Sequence, residues 1–174
     1  MRKIILGLAV SLDGFIEGPN GEYDWCFNDQ DYGLTEFSRQ IDTLIMGRKT
    51  YEVAQTYEGP SPWSESTTYV FSRTLKSSKP RVVIVAGNLV EWVQELKSKP
   101  GKDIWLFGGA DLISQFANQH LIDEYWLSVH PILLGKGKPL FQNLEQRKNL
   151  KLVNSKVYDT GLMSVWYQPL DQKS

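Results

Sequence analysis

Cysteine and histidine are scarce in this chain. The single cysteine, Cys26, excludes an intramolecular disulfide and a cysteine-cluster metal site, and the two histidines, His120 and His130, complete no metal motif. An excess of one charge is also missing. With 19 basic and 20 acidic residues the formal net charge is −1 and no long block carries one sign, so neither nucleic acid nor an anionic membrane has electrostatic support. Long apolar runs are absent as well. The stretch from Met1 to Val10 is too short for a bilayer and lacks a small-residue cleavage site, so it is expected to be a buried first strand. There is no internal repeat and no linker. These absences predict a metal-free, cytoplasmic protein of one domain, residues 1–174, a length that can bury a substantial core.

Aromatic residues are plentiful, with six Trp and eight Tyr. They suit a flat ring-binding cleft or an ordinary core, and any single ring is assigned first to the core. Apolar runs of strand length alternate with amphipathic stretches of helix length, which predicts an α/β sheet with mostly parallel strands. Strands are expected near 3–10, 43–47, 67–71, 81–85, 103–107, 123–130, 150–158 and 161–168. Helices are expected near 32–41, 49–57, 88–98 and 110–119. Asn88 is a good N-cap for the third helix. The Asp159-Thr160-Gly161 turn predicts an antiparallel hairpin at the C-terminal end.

Three predicted strand ends are followed by residues suited to phosphate, because glycine, hydroxyls and a nearby cation leave amides and positive charge aimed at one spot. The first is Gly47-Arg48-Lys49-Thr50. Arg48 and Lys49 fall in the first turn of a helix, where they oppose the dipole unless an anion joins them; alternatively Glu52 neutralises them on the surface. The second is Ser72-Arg73, where a basic residue would accommodate a 2′-phosphate and so favour NADPH over NADH. The third is Gly108-Gly109-Ala110, a glycine pair that lets backbone approach a pyrophosphate or simply makes a tight turn. Asp111, next in that helix, is expected to face solvent. None of the three is a GxGxxG or P-loop fingerprint.

Two loops, residues 11–21 and 131–141, hold more Gly, Pro and Asp than a plain connection needs, and loops leaving strand ends are where α/β sheets bind ligands. Asp13 lies in the first of them. It is a candidate proton donor, or else an Asx cap of its own turn.

The order and spacing of Ala9-Val10-Ser11-Leu12-Asp13-Gly14-Phe15-Ile16, Ile45-Met46-Gly47-Arg48-Lys49-Thr50, Phe71-Ser72-Arg73 and Gly108-Gly109-Ala110 resemble the dihydrofolate reductase superfamily across nearly the whole chain. Ser11-Leu12-Asp13-Gly14, with Leu121-Ile122-Asp123-Glu124 through Pro131-Ile132-Leu133-Leu134-Gly135, is similar to the reductase domain of bacterial riboflavin biosynthesis enzymes. The resemblance implies a three-layer fold, a homodimer, and hydride transfer from NADPH to a pyrimidine or pterin compound. It places Ala9 and Ile16 at the nicotinamide carboxamide and Gly47, Arg48, Lys49 and Thr50 at cofactor phosphates. Ser72 and Arg73 match the pair at the 2′-phosphate, and Gly108 and Gly109 match a cis-linked pair at the pyrophosphate. Asp31 matches the acidic residue that binds the pterin ring in dihydrofolate reductases when positions are counted back from Met46. If Phe37 is aligned with the helix phenylalanine instead, Gly33 takes that place. Phe107 stands where the riboflavin-type family carries a glutamate.

Ser128 and His130, near the end of the sixth strand, are expected either to line the substrate side or to pack in the core. Three functions follow: a 5-amino-6-(5-phosphoribosylamino)uracil reductase-like enzyme, a dihydrofolate reductase, or a nucleotide-binding protein without turnover. The second requires a buried carboxylate on the helix near 32–41.

Overall fold

A computed structural model describes residues 1–56, 63–76 and 79–170. Its centre is β1 (Ile4–Ser11), whose sequence IILGLAVS is apolar almost throughout because helices cover both faces of the sheet around it. Parallel partners flank it: β6 (Asp103–Gly108) on one side and β7 (Glu124–His130) on the other. Beyond β6 come β3 (Ile41–Gly47), β4 (Thr67–Phe71) and β5 (Val82–Val85), all parallel. Beyond β7 the direction reverses in β10 (Met163–Pro169), and the edge is β9 (Leu150–Val157), antiparallel to it. The order is therefore β5-β4-β3-β6-β1-β7-β10-β9. A mostly parallel sheet with antiparallel C-terminal strands is the expected class, and all eight expected strands are present.

One layer consists of α3 (Leu89–Ser98) and α4 (Ala110–Asn118). They bury Val93, Leu96, Ile113 and Phe116 against Ile4, Leu6, Ile104 and Leu106. The opposite layer is α1 (Leu34–Gln40) and α2 (Arg48–Ala54), which bury Phe37 and Tyr51 against Ile5, Leu44, Met46, Trp105 and Trp126. On this second face Gly7 is a packing device. A Cβ there would lie 2.9 Å from Trp105 Nε1 and 3.2 Å from Trp126 Cε3, so the bare backbone makes room for both indoles. The Trp105 indole N–H then donates to the Gly7 carbonyl at 2.7 Å, and the Trp126 N–H donates to Ser164 Oγ at 2.7 Å. These two buried indoles keep their hydrogen bonds in this way.

Three expectations need adjustment. The first helix is shorter than 32–41 because Gly33, at φ 94°, is left-handed and can only precede it. The second helix starts at Arg48, and position 57 of its expected range lies outside the described residues. The two long loops are not plain coil. They meet in a two-stranded ribbon, β2 (Phe15–Glu17) against β8 (Lys138–Pro139), with a Glu17–Lys138 ion pair at 2.5 Å. No helix among the described residues is long and apolar enough to cross a membrane.

Candidate functional site

Parallel strands share one polarity, so the C-terminal ends of β4, β3, β6 and β1 lie along one edge of the sheet. Register pairs Gly47 with Phe71 and Met46 with Gly108, which sets Ser72-Arg73, Gly47–Thr50 and Gly108–Ala110 side by side. The contact is close. A Cβ on Gly47 would sit 3.7 Å from the Gly109 nitrogen, and one on Gly109 would sit 3.1 Å from Thr50 Oγ1. Two stations far apart in sequence thus form one cradle. The Gly108–Gly109 peptide is cis, as the resemblance implies.

Electrostatics favours an anion in this cradle. At the N-terminus of α3, Asn88 Oδ1 accepts from the amides of Val90 (2.9 Å) and Glu91 (3.3 Å). By contrast, α2 and α4 have Gly47 and Gly109 at their N-cap positions, with no side-chain cap. Their first-turn amides are left for water or a ligand. Asp111, the acid in the first turn of α4, is exposed and accepts from the Gln142 amide, so it points away as expected.

The basic residues around the cradle are exposed. Arg48 pairs with Glu52 at 2.8 Å in solvent, which realises the surface reading of that turn. Such a pair is worth only about 0.3–0.5 kcal/mol, little obstacle to a phosphate drawing Arg48 away. Lys49 is exposed as well. Ser72 Oγ accepts from the amides of Thr74 (3.2 Å) and Leu75 (2.9 Å), which shapes the turn that presents exposed Arg73. Its hydroxyl hydrogen stays available to a ligand oxygen.

The two candidate acids have local hydrogen-bonding roles. Asp13 Oδ1 accepts from the Ser11 hydroxyl at 2.6 Å and from the Leu134 amide at 3.1 Å, and Oδ2 accepts from the Gly135 amide at 2.8 Å. The Ser11 hydroxyl first, and these amides after it, hold the Asp13 pKa below the ordinary aspartate value. Asp31 is exposed and accepts from the Thr35 amide at 2.9 Å, capping α1 from outside. The only acid in α1 is Glu36, also exposed. The buried carboxylate that dihydrofolate reduction requires is absent from this helix.

Ala9 pairs with Ser128 on the β1–β7 ladder, and Ile16 lies in the β2–β8 ribbon. His130 is 3 % exposed and fully engaged. Its Nε2 accepts from the Phe27 amide at 3.1 Å, which leaves Nδ1 to donate to the Ser128 carbonyl at 2.9 Å, and burial lowers its pKa. It is a neutral histidine fixing the segment before α1, which agrees with the core reading. The sequence reasoning missed that segment. Trp25 and Phe27 pack on His130 at 5.3 and 5.0 Å between ring centroids, Tyr32 meets Tyr158 at 4.9 Å, and Trp25 Nε1 is buried without a protein partner. The available signal was four aromatics between positions 23 and 32 in a stretch with no strand or helix period. A separate hollow of about 330 Å³ lies between α1 and strands β7, β10 and β9, floored by Trp126 and Trp166; Gly33 and Phe37, from the second alignment of the pterin-binding acid, line it, and neither carries a carboxylate.

Comparison with known proteins places this architecture. The family model of the RibD C-terminal domain matches residues 2–164. The uncharacterized protein YyaP of Bacillus subtilis (strain 168) is 48 % identical over 177 aligned positions, covering 95 % of this chain and 94 % of that one. The riboflavin biosynthesis protein RibD of Corynebacterium ammoniagenes is 28 % identical, with 77 % of this chain matching 44 % of RibD. A crystallised protein of Shewanella sp. PV-4, named for riboflavin biosynthesis, superimposes with a TM-score of 0.85 at 31 % identity over 98 % of this chain and 99 % of its own. The chain belongs to the RibD C-terminal domain family.

Proposed function

We propose that this protein is an NADPH-dependent reductase acting on a pyrimidine-type substrate, like the 5-amino-6-(5-phosphoribosylamino)uracil reductase named in a related fold. The observation that carries this reading is the cradle at the ends of β3 and β6, where Gly47, Gly109 and Thr50 meet beneath two helix starts without side-chain caps. It fits a pyrophosphate: a Cβ at Gly109 would already touch Thr50 Oγ1, so the amides can be approached only because that side chain is missing. Arg73, with the Ser72 hydroxyl, would hold a 2′-phosphate one strand away. The backbone at Ala9 and Ile16 would hold the carboxamide at the other end. Lys49 and Arg48 would add positive charge over the phosphates.

When bound, the reduced nicotinamide would supply the hydride. The chain's contribution is orientation along one sheet edge. Proton transfer is assigned to solvent, because Asp13 is held as a carboxylate by three donors and Asp31 is an exposed acceptor for the Thr35 amide. The dihydrofolate alternative loses support from the lack of a buried acid on α1. A nucleotide-binding protein without turnover would bind NADPH and consume none with any pyrimidine offered. The family resemblance also supports a homodimer, which light scattering would test.

Titration with NADPH and with NADH, followed by nicotinamide fluorescence, tests the reading. Wild type should prefer NADPH. Arg73→Ala removes a charge-assisted contact worth about 1.5–3 kcal/mol, so NADPH should weaken by about tenfold to a hundredfold while NADH changes little. Equal loss for both would overturn the 2′-phosphate assignment. Failure of wild type to bind either would overturn the reductase reading.

A further inference from the structure

The turn after β1 and the loop after β7 are joined at several points. Leu12 N–H donates to the Ile132 carbonyl and Leu140 N–H to the Gly14 carbonyl, each at 2.9 Å. The β2–β8 ribbon and the Glu17–Lys138 pair close the far end. Asp13 occupies the middle. Its carboxylate meets the consecutive amides of Leu134 and Gly135, and Gly135 has a φ of 70°, a left-handed conformation of the kind that turns successive N–H groups toward one point. This is an anion nest, and the chain supplies its own anion. Ser11, 1 % exposed, orients the arrangement: its Oγ accepts from the Phe15 amide at 2.9 Å, so its one hydrogen goes to Asp13.

We infer that Asp13 is a positioning residue whose carboxylate latches residues 131–135 onto the turn after β1 and thereby fixes the backbone from Ser11 to Ile16. That this backbone faces the nicotinamide rests on the reductase reading; the latch itself does not. Three donors converge on two carboxylate oxygens, an arrangement that opposes a proton on either. Asp13 therefore serves the site by holding its frame and not by giving up a proton. An amide in its place would keep the shape but turn an N–H₂ toward one of the donors it must receive.

The test uses the full chain with Asp13→Asn and Asp13→Ala, reading amide hydrogen exchange at Leu134 and Gly135 together with NADPH affinity. Asp13→Ala should speed exchange at both amides, and Asp13→Asn at whichever of the two meets its N–H₂, by about tenfold or more, and each should weaken NADPH by about tenfold, the worth of one charge-assisted hydrogen bond. Sodium acetate added to Asp13→Ala should restore part of the exchange protection and part of the NADPH affinity, whereas sodium chloride at equal ionic strength should not. Unchanged exchange at Leu134 and Gly135 in a folded Asp13→Asn would overturn the latch. Faster exchange with undiminished NADPH affinity would overturn its influence on the site. If wild type binds no NADPH, the reductase reading fails, and the latch is still decided by exchange and acetate rescue. Should Asp13→Asn fold poorly, acetate rescue of Asp13→Ala decides in its place, and no recovery of protection would count against the latch.

Discussion

Gly109→Ala separates binding from stability at the cradle. Gly109 has φ −89° and ψ −170°, values an alanine adopts without strain. The new methyl would meet Thr50 Oγ1 at 3.1 Å, a contact that a few tenths of an ångström of side-chain movement relieves. Alanine also restricts the unfolded chain, which returns about 0.4–1 kcal/mol. The net change in stability is expected to stay below about 1 kcal/mol, or about 2–4 °C in Tm for a chain of this size. Binding should respond very differently. The methyl would stand over the uncapped amides at the start of α4, and losing one charge-assisted hydrogen bond to phosphate, about 1.5–3 kcal/mol, weakens affinity by about tenfold to a hundredfold. Gly108→Ala provides the contrast. At φ 130° a side chain is strained, so about 1–3 kcal/mol of stability should be lost. Thermal unfolding by circular dichroism and NADPH titration of both variants check this. Wild-type NADPH affinity in Gly109→Ala would refute the cradle as a phosphate site, and a Tm drop beyond about 10 °C would refute the claim that Thr50 can yield.

Two further predictions concern one buried and one half-buried titratable group. Burial lowers the His130 pKa in the native state while its unfolded value stays near 6.5, so below about pH 6.5 the unfolded chain binds a proton that the folded one refuses. Stability should therefore fall as pH drops through 6.5 toward the native value. His130→Gln should flatten that part of the profile in urea melts at pH 5 and pH 8, and an identical pH slope would contradict it. Burial, with the Asp24 carboxylate adding to it, raises the Cys26 thiol to about 11. Only about one thiol in a thousand is ionised at pH 8, so the half-buried native Cys26 should react slowly with iodoacetamide and promptly in urea; rapid native alkylation would contradict the raised thiol pKa.

Much of the fold could be read from local pattern. Runs such as Ile4–Val10 and Ile104–Phe107 are apolar almost throughout because both faces of the sheet are covered, and that signature survives without knowledge of the partners. Asn88 marked the start of α3 because capping is decided within a few residues. The β2–β8 ribbon was not legible. Three residues pairing with two across more than 120 positions have no period to detect, and both stretches look like loop. Asp13 illustrates the same limit. Its sequence neighbours allowed an Asx cap or a proton donor, whereas its decisive partners, Leu134 and Gly135, come from the loop after β7. For His130 the sequence left substrate lining and core packing open, and the Phe27 amide that its Nε2 accepts from lies in a segment with no regular pattern.

By itself the sequence determined a near-neutral α/β chain, poor in cysteine and histidine, with three phosphate-suited strand ends, because residue type, charge and short-range periodicity carry that information directly. Only the tertiary structure decided that Gly47, Gly109 and Thr50 form a single cradle, and that Asp13 is a bound carboxylate and not a free acid. The physical reason is that parallel strand order and loop pairing are set by burying two faces of one sheet. That burial brings residues sixty to a hundred and twenty positions apart into contact, which no local pattern records.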